Sequence, residues 1–209
     1  MCGFAALVAL GTAAPPTEAE LKAMIQAVEH RGPDGLSTLA DGQVGLAHAR
    51  LSIIDLEGGW QPIHNEHKTV WVVFNGEIFN YVELRRDLEK QGHEFYTHSD
   101  TECIVHLYEQ YGDDFVKHLN GQFAIALHDR RRRRMVIARD RVGIRPCFYT
   151  IANGRFAVAS EVKALFSLRE VPRSLDTRAL GEIFTFWRDR KSTRLNSSHL
   201  DTSRMPSSA

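Results

Sequence analysis

The chain opens Met1-Cys2-Gly3-Phe4-Ala5-Ala6-Leu7-Val8-Ala9, and the reading of this stretch decides the rest. Cysteine is small enough for the initiator methionine to be removed, leaving Cys2 as the N-terminus. One residue then carries both a thiol and a free α-amine. The thiolate is the reactive form, with an unperturbed pKa of roughly 8.5. An α-amine titrates near roughly 7.7–8.0, so part of it can accept a proton at neutral pH. A nucleophile beside its own base is a known way to activate a thiol for acyl transfer. Residues 3–9 form an unbroken apolar run, which reads as a buried strand. That strand would hold Cys2 at the end of a rigid sheet. A cysteine at position two, taken alone, is more often an accident of the start codon. The residues downstream decide between the two readings.

Bulk properties narrow the field. The 209 residues suffice for one domain with a substantial core. Formal net charge is +0 with 25% charged residues, so nothing electrostatic favours nucleic acid or an anionic membrane. No apolar run approaches the roughly 20 residues of a membrane helix. The N-terminus has no secretory pattern. Three cysteines without close spacing build neither a disulfide framework nor a zinc site. A reducing, cytoplasmic location is expected, and it suits a free thiol. His64 and His67 have loose ligand spacing but no cysteine or acidic pair at metal spacing, so no metal is expected. Cys103 and Cys147 read as core residues.

Patterning gives the elements. Thr17 and Glu20 form a capping box opening a helix, and Leu21, Met24, Ile25 and Val28 make its apolar face. His30-Arg31-Gly32-Pro33-Asp34-Gly35 ends it in a tight turn. Val44 to Leu51 reads as a strand that continues extended through Leu56. Thr69 to Phe74 is β-branched and aromatic, a central strand. Asn80 with Glu83 predicts the cap of a helix ending at Gly92, and Ser99-Asp100-Thr101-Glu102 opens a third helix closed by Gly112. Four strands follow at hairpin spacing: Gln122–His128, Met135–Arg139, Pro146–Ile151 and Arg155–Ala159. Asn153-Gly154 marks a tight turn. The arginine run 130–134 falls between two of these strands and reads as a solvated turn. Glu161–Leu168 and Thr177–Phe186 read as short helices. Strands in runs with helices set apart predict an α+β domain with largely antiparallel sheets.

A thiol attacking an amide needs donors for the oxyanion and a grip on the substrate's charged end. Asn75-Gly76 follows directly on the central strand. The Asn75 amide and the Gly76 N–H can converge on one oxygen, and glycine permits close backbone approach. Arg50, at the end of another strand, can pair with a carboxylate in bidentate fashion. Glu77 and Asp100 can bind an ammonium together. Singly, each has a plainer reading as a turn, a surface charge or, for Asp100, a helix cap.

Taken together, eight motifs resemble one family. They are Met1-Cys2-Gly3-Phe4, His30 to Gly35, Arg50-Leu51-Ser52-Ile53-Ile54-Asp55, Phe74-Asn75-Gly76-Glu77-Ile78-Phe79-Asn80-Tyr81, Ser99 to Glu102, Gly121-Gln122-Phe123-Ala124, Arg139 to Pro146 and Ser160 to Leu165. In this order they resemble the class II glutamine amidotransferase (glutaminase) domain of glutamine-hydrolysing asparagine synthetases. The resemblance implies the N-terminal-nucleophile hydrolase fold, a four-layer αββα sandwich of two mainly antiparallel sheets. It implies Cys2 as nucleophile with its α-amine as base, and Asn75 and Gly76 as the oxyanion hole. It implies glutamine binding by Arg50, Leu51, Ser52, Ile53, Ile54, Asn75, Gly76, Glu77 and Asp100. No cofactor is implied for this half-reaction. ATP and Mg belong to the larger C-terminal synthetase domain of the family, which the chain lacks. The implied partners are L-glutamine and that missing domain, with room for a homodimer of the full-length protein. An interface, expected to be apolar, would be left exposed. The alternatives are the glutaminase domain of another class II amidotransferase, or a non-catalytic fragment of the same fold.

The resemblance runs to about Arg188, so residues 1–188 are expected to form the domain. From Asp189 onward the composition turns polar and aperiodic, and residues 189–209 are expected to be disordered. The run from Asp189 to His199 resembles the in-frame translation of a widely used sequencing adapter. The genuine reading frame is therefore expected to be cut after about Arg188.

Overall fold

The computed structural model describes residues 1–174. The expected helix at Thr177–Phe186 and the whole of 189–209 lie outside the described residues.

The opening run is strand β1, Gly3–Ala9, and its unbroken apolarity has a clear cause. Ala5 and Leu7 pack against helices on one face, while Phe4 and Ala6 pack against a second sheet on the other. A strand covered on both sides has no use for alternating polar residues. The following helix α1, Glu18–Gln26, starts at the expected capping box. Thr17 Oγ1 accepts from the Glu20 N–H at 3.3 Å, and the Glu20 carboxylate accepts from the Thr17 N–H at 2.8 Å. Leu21, Met24, Ile25 and Val28 are all fully buried.

Strands β2 (Gly35–Asp41) and β3 (Val44–Arg50) form a hairpin. β4 (Ile63–His64) is a short edge, and β5 (Val70–Ile78) is the long central strand. Helices α2 (Tyr81–Lys90) and α3 (Glu102–Tyr111) follow, then β6 (Gly121–Asp129), β7 (Arg134–Arg139), β8 (Phe148–Ala152), β9 (Arg155–Ala159) and the one-turn helix α4 (Val162–Leu165). One sheet has the order β2-β3-β1-β9-β8 and the other β4-β5-β6-β7. Every pairing is antiparallel. Helices α1 and α4 cover the outer face of the first sheet, and α3, backed by α2, covers that of the second. Between the sheets lies a core of Phe4, Leu46, Val73, Ala124, Ala126, Phe156 and Val158. Truncating fully buried Phe4 to alanine should cost about 3–5 kcal/mol. Asn153 and Gly154 turn the β8–β9 hairpin with φ of 49° and 70°, the pair of positive values a two-residue type I′ turn needs. The arginine run is the β6–β7 turn, anchored by Arg130 to Asp41 and Arg134 to Asp113.

Four expectations change. Residues 51–56 are not extended: the chain bends after Arg50, and Asp55 sits at φ 52° with its carboxylate accepting the Gly58 and His98 N–H groups. Asn80 does not cap α2 through its side chain. That side chain reaches across instead, accepting from Asn120 N–H at 2.9 Å and donating to the His118 carbonyl at 3.0 Å. Strands β2 and β4 are additional to the expected set. The strand expected from Pro146 begins at Phe148.

Candidate active site

Register brings the site together. On β3, Val44 and Leu46 face the other sheet, so His48 and Arg50, two and four residues on from Leu46, point the same way. Phe4 pairs with His48, which places Cys2 at the same end of the inter-sheet space. On β5, Val73 faces that space, and so does Asn75. These strand ends open into a cleft enclosing about 580 Å³, part of it open solvent. Its walls include Cys2, Arg50, Leu51, Ile53, Ile54, Asn75, Gly76, Glu77 and Asp100. Ser52 alone among the expected residues does not line it. Its N–H donates to the Asp34 carboxylate at 2.6 Å, which shapes the loop.

Cys2 is held from several sides. Its Sγ accepts from the Leu51 N–H at 3.4 Å, and the thiol lies 3.5 Å from the Leu51 carbonyl. Burial pushes the thiol above its ordinary pKa, against the Leu51 N–H and the nearby N-terminal charge, which pull it down. Arg31 Nε donates to the Cys2 carbonyl at 3.0 Å, and Arg31 Nη1 pairs with Glu161 at 2.9 Å. Ser160 clamps Phe4, two residues on, its Oγ accepting from the Phe4 N–H at 2.9 Å and its own N–H donating to the Phe4 carbonyl at 3.0 Å. Sequence reasoning quoted these residues as motifs without assigning them work. The available signal was chemical: an arginine in the turn after α1 and a glutamate just before α4, each able to pair with the other. Gly32 belongs to the same support: a Cβ there would sit 2.1 Å from the Ala49 carbonyl carbon.

Two polar side chains of the cleft keep donors that no described residue satisfies. Asn75 is 1% exposed, yet its Nδ2 has no hydrogen-bond partner among the described residues. Arg50 is 2% exposed and donates from Nη2 to the Asp55 carbonyl, while its Nη1 has no partner among the described residues. Its guanidinium stacks 4.7 Å from the Trp60 ring centroid. A buried donor without an acceptor costs about 1–3 kcal/mol, so a site that keeps two is organised for a ligand that supplies them. Asp100 is not the cap of α3, a position Thr101 holds. Its Oδ2 accepts from Ile78 N–H at 2.9 Å, and burial raises its pKa. Gly76 must be glycine, since a Cβ would lie 2.1 Å from the Gln122 carbonyl oxygen.

Four further cleft residues escaped sequence reasoning. His48 is fully buried with neither ring nitrogen in a well-formed hydrogen bond among the described residues, and burial pushes its pKa down to about 3 against a weak opposing contact with the Phe74 backbone. Gln61 ties β5 to α3, accepting from Phe74 N–H at 2.6 Å and donating to Thr101 Oγ1 at 3.3 Å. Arg145 and Met1 meet at the rim. His64, a candidate ligand by spacing, instead stacks on Tyr96 at 4.7 Å and meets Trp71 edge-on at 4.6 Å. Cys103 and Cys147 are buried and free, and burial raises their thiols to about 12 and about 11.

A model of the glutamine amidotransferase domain matches residues 1–206. The chain belongs to the glutamine amidotransferase domain family. Among curated relatives, this amidotransferase domain is 43% identical over 190 residues to an asparagine synthetase (glutamine-hydrolysing) of Bacillus subtilis. That match covers 88% of this chain and 25% of the relative. It is 41% identical over 166 residues to the maize enzyme of the same name, covering 79% and 28%. The chain thus spans about a quarter of the length of these relatives. Among solved structures, the amidotransferase domain resembles the glutamine phosphoribosylpyrophosphate amidotransferase of B. subtilis. The TM-score is 0.65 at 21% identity, covering 79% of this chain and 43% of that one. A second match, to an allosteric regulatory enzyme of purine biosynthesis, gives 0.66 at 22%, with the same coverages. The fold is therefore a four-layer αββα sandwich shared with these two enzymes, as the two antiparallel sheets between helices already indicate. Among the described residues, no helix is long and apolar enough to cross a membrane.

Proposed function

We propose that this domain hydrolyses the side-chain amide of L-glutamine to glutamate and ammonia, as the glutaminase half of an asparagine synthetase. Removal of Met1 places the α-amine on Cys2 itself, where it takes the thiol proton. The sulfur attacks the amide carbon, and the carbonyl oxygen becomes an oxyanion facing Asn75 Nδ2 and the Gly76 N–H. The ammonium form of the amine returns its proton to the departing nitrogen, releasing ammonia and leaving a thioester. Water, deprotonated by the same amine, attacks the thioester through a second oxyanion. Glutamate leaves and the thiol is restored. Arg50 takes the α-carboxylate of glutamine, and Glu77 with Asp100 takes its α-ammonium.

The observation that carries this reading is the unpaired, buried Nδ2 of Asn75 in the cleft that holds the Cys2 thiol. The asparagine synthetase assignment rests on the 36–43% identity to curated enzymes of that name. In that setting the ammonia passes to an ATP-dependent step that converts aspartate to asparagine elsewhere in the longer protein. Ile53, Leu56, Trp60, Val142 and Ile144 are exposed apolar side chains on the two loops after β3 and β7, consistent with a face that such a region covers. A reducing cytoplasm suits the three free thiols.

A glutamine-shaped electrophile tests the reading. It should add its mass to Cys2 alone, because Cys103 and Cys147 are buried and protonated at neutral pH. Excess glutamine should protect. Labelling that glutamine does not slow, or that persists in Cys2→Ala, would refute it.

A further inference from the structure

Far along the sequence from Cys2, three segments bring four potential ligands together. Glu66 comes from the β4–β5 loop, His93 from the turn after α2, and His106 and Glu109 from one face of α3 at i and i+3 spacing. One ligand atom from each lies within 4.8 Å of all the others. His106 Nδ1 is 3.4 Å from Glu109 Oε2 and 3.6 Å from Glu66 Oε1. His93 Nδ1 is 3.8 Å from each of the same two oxygens.

We propose that Glu66, His93, His106 and Glu109 form a binding site for a divalent transition-metal ion of the zinc class. The decisive residue is His106. It is fully buried, and among the described residues neither ring nitrogen completes a hydrogen bond, although carboxylate oxygens of Glu109, Glu102 and Glu66 stand 3.4–3.6 Å away. Donor atoms of a tetrahedral site with bonds of roughly 2.0–2.2 Å lie roughly 3.3–3.6 Å apart. The 3.4 and 3.6 Å separations meet that spacing, and the two of 3.8 Å lie just outside it. Two imidazoles and two carboxylates suit zinc or cobalt rather than calcium or magnesium, which take oxygen ligands.

The surroundings fit ligation. The other face of His106 presents Nε2 to Glu102 Oε1 at 3.5 Å, an arrangement that orients a metal-bound imidazole. Glu102 is itself fixed, accepting from the N–H groups of Tyr96 and Thr97 at 2.8 and 2.7 Å. Asn65 donates to Glu109 Oε1 at 2.6 Å, leaving Oε2 for the ion. Phe95 walls the site, its ring centroid 4.4 Å from that of His106. Glu66, His93 and Glu109 are partly exposed, so an ion has a way in. Three separate segments supply the ligands, which is why spacing along the chain conceals them. Bound metal would fasten residues 93–101 to α3, and Asp100 of the cleft stands near the end of that segment.

Cobalt and zinc titrations of the full chain in a Cys2→Ala background test this, so that the cleft thiol contributes nothing. One equivalent of Co²⁺ should give the visible absorption of a four-coordinate site. Zn²⁺ at a hundredfold excess over its Kd should raise Tm by roughly 5–10 °C. Mg²⁺ should do neither. Because His106 is buried and its loss can unfold the chain, the rim variants His93→Gln and Glu109→Gln carry the test. Each should abolish the cobalt spectrum while His67→Gln, an exposed neighbour, keeps it. No saturable binding, or binding unchanged in the two rim variants, would overturn the proposal.

Discussion

Arg31 Nε donates to the Cys2 carbonyl oxygen at 3.0 Å while its Nη1 pairs with Glu161 at 2.9 Å. The nucleophile precedes the first residue of its strand, so the sheet's own hydrogen bonds do not fix it. This bridge supplies the missing constraint from the turn after α1 and the loop before α4. Arg31→Ala should therefore act on positioning. A hydrogen bond to a charged group contributes about 1.5–3 kcal/mol, which corresponds to a fall in kcat of roughly 10–100-fold. KM for glutamine should change little, because Arg31 does not line the cleft. Steady-state kinetics separate the two parameters, and a rise in KM alone would contradict the positioning role.

Asn75→Ala removes the buried donor that lacks a partner. An oxyanion donor is typically worth roughly 3–4 kcal/mol, so kcat should fall about 10²–10³-fold. Stability should hold or rise slightly, since an unpaired polar group leaves the interior. Chemical denaturation beside turnover checks both, and near-native turnover would remove Asn75 from the mechanism.

Arg50 should show its role through the substrate. Loss of one partner of a buried charge pair costs about 2–5 kcal/mol, so Arg50→Gln should raise KM for glutamine at least about thirtyfold. An amide substrate without the α-carboxylate should be poor for the native protein and no worse for the variant. Equal loss on both substrates would show a folding effect, because Arg50 also holds the Asp55 carbonyl and stacks on Trp60.

His48 makes stability depend on pH. Its folded pKa is pushed down to about 3 by burial, with Arg50 adding to the shift, while an unfolded histidine titrates near roughly 6.5. Between those values the unfolded chain holds the extra proton. Stability is therefore fully present above pH 6.5 or so and is lost as pH falls toward 3. His48→Leu should flatten that loss. Urea midpoints of the two proteins should diverge steadily below pH 6.5, and parallel curves would show that His48 does not titrate this way.

Much of this was legible in the chain. Gly3–Ala9 announced a doubly covered strand because both of its faces meet apolar neighbours. The capping box at Thr17 and the glycine stops at 92 and 112 were local signals with local causes. The failures share a different origin. Residues 51–56 look like a strand, yet Ile53 and Leu56 are 68% exposed, and the segment is held by side-chain bonds from Asp34, Arg50 and Asp55. Strand β2 is only partly buried along its length, so its pattern is weak, and its pairing with β3 defines it. In the cleft, residue types were readable from their chemistry. Arg31, His48 and Glu161 were not, because their work depends on which strand end lies beside Cys2.

The central claim is that a processed Cys2 releases ammonia from glutamine. The most direct measurement is ammonia release from L-glutamine by the purified protein, with intact mass reporting loss of Met1 and Cys2→Ala assayed alongside. Release that needs both Cys2 and a processed N-terminus is the expected result. Release that survives Cys2→Ala, or none from protein that is folded and processed, would contradict it.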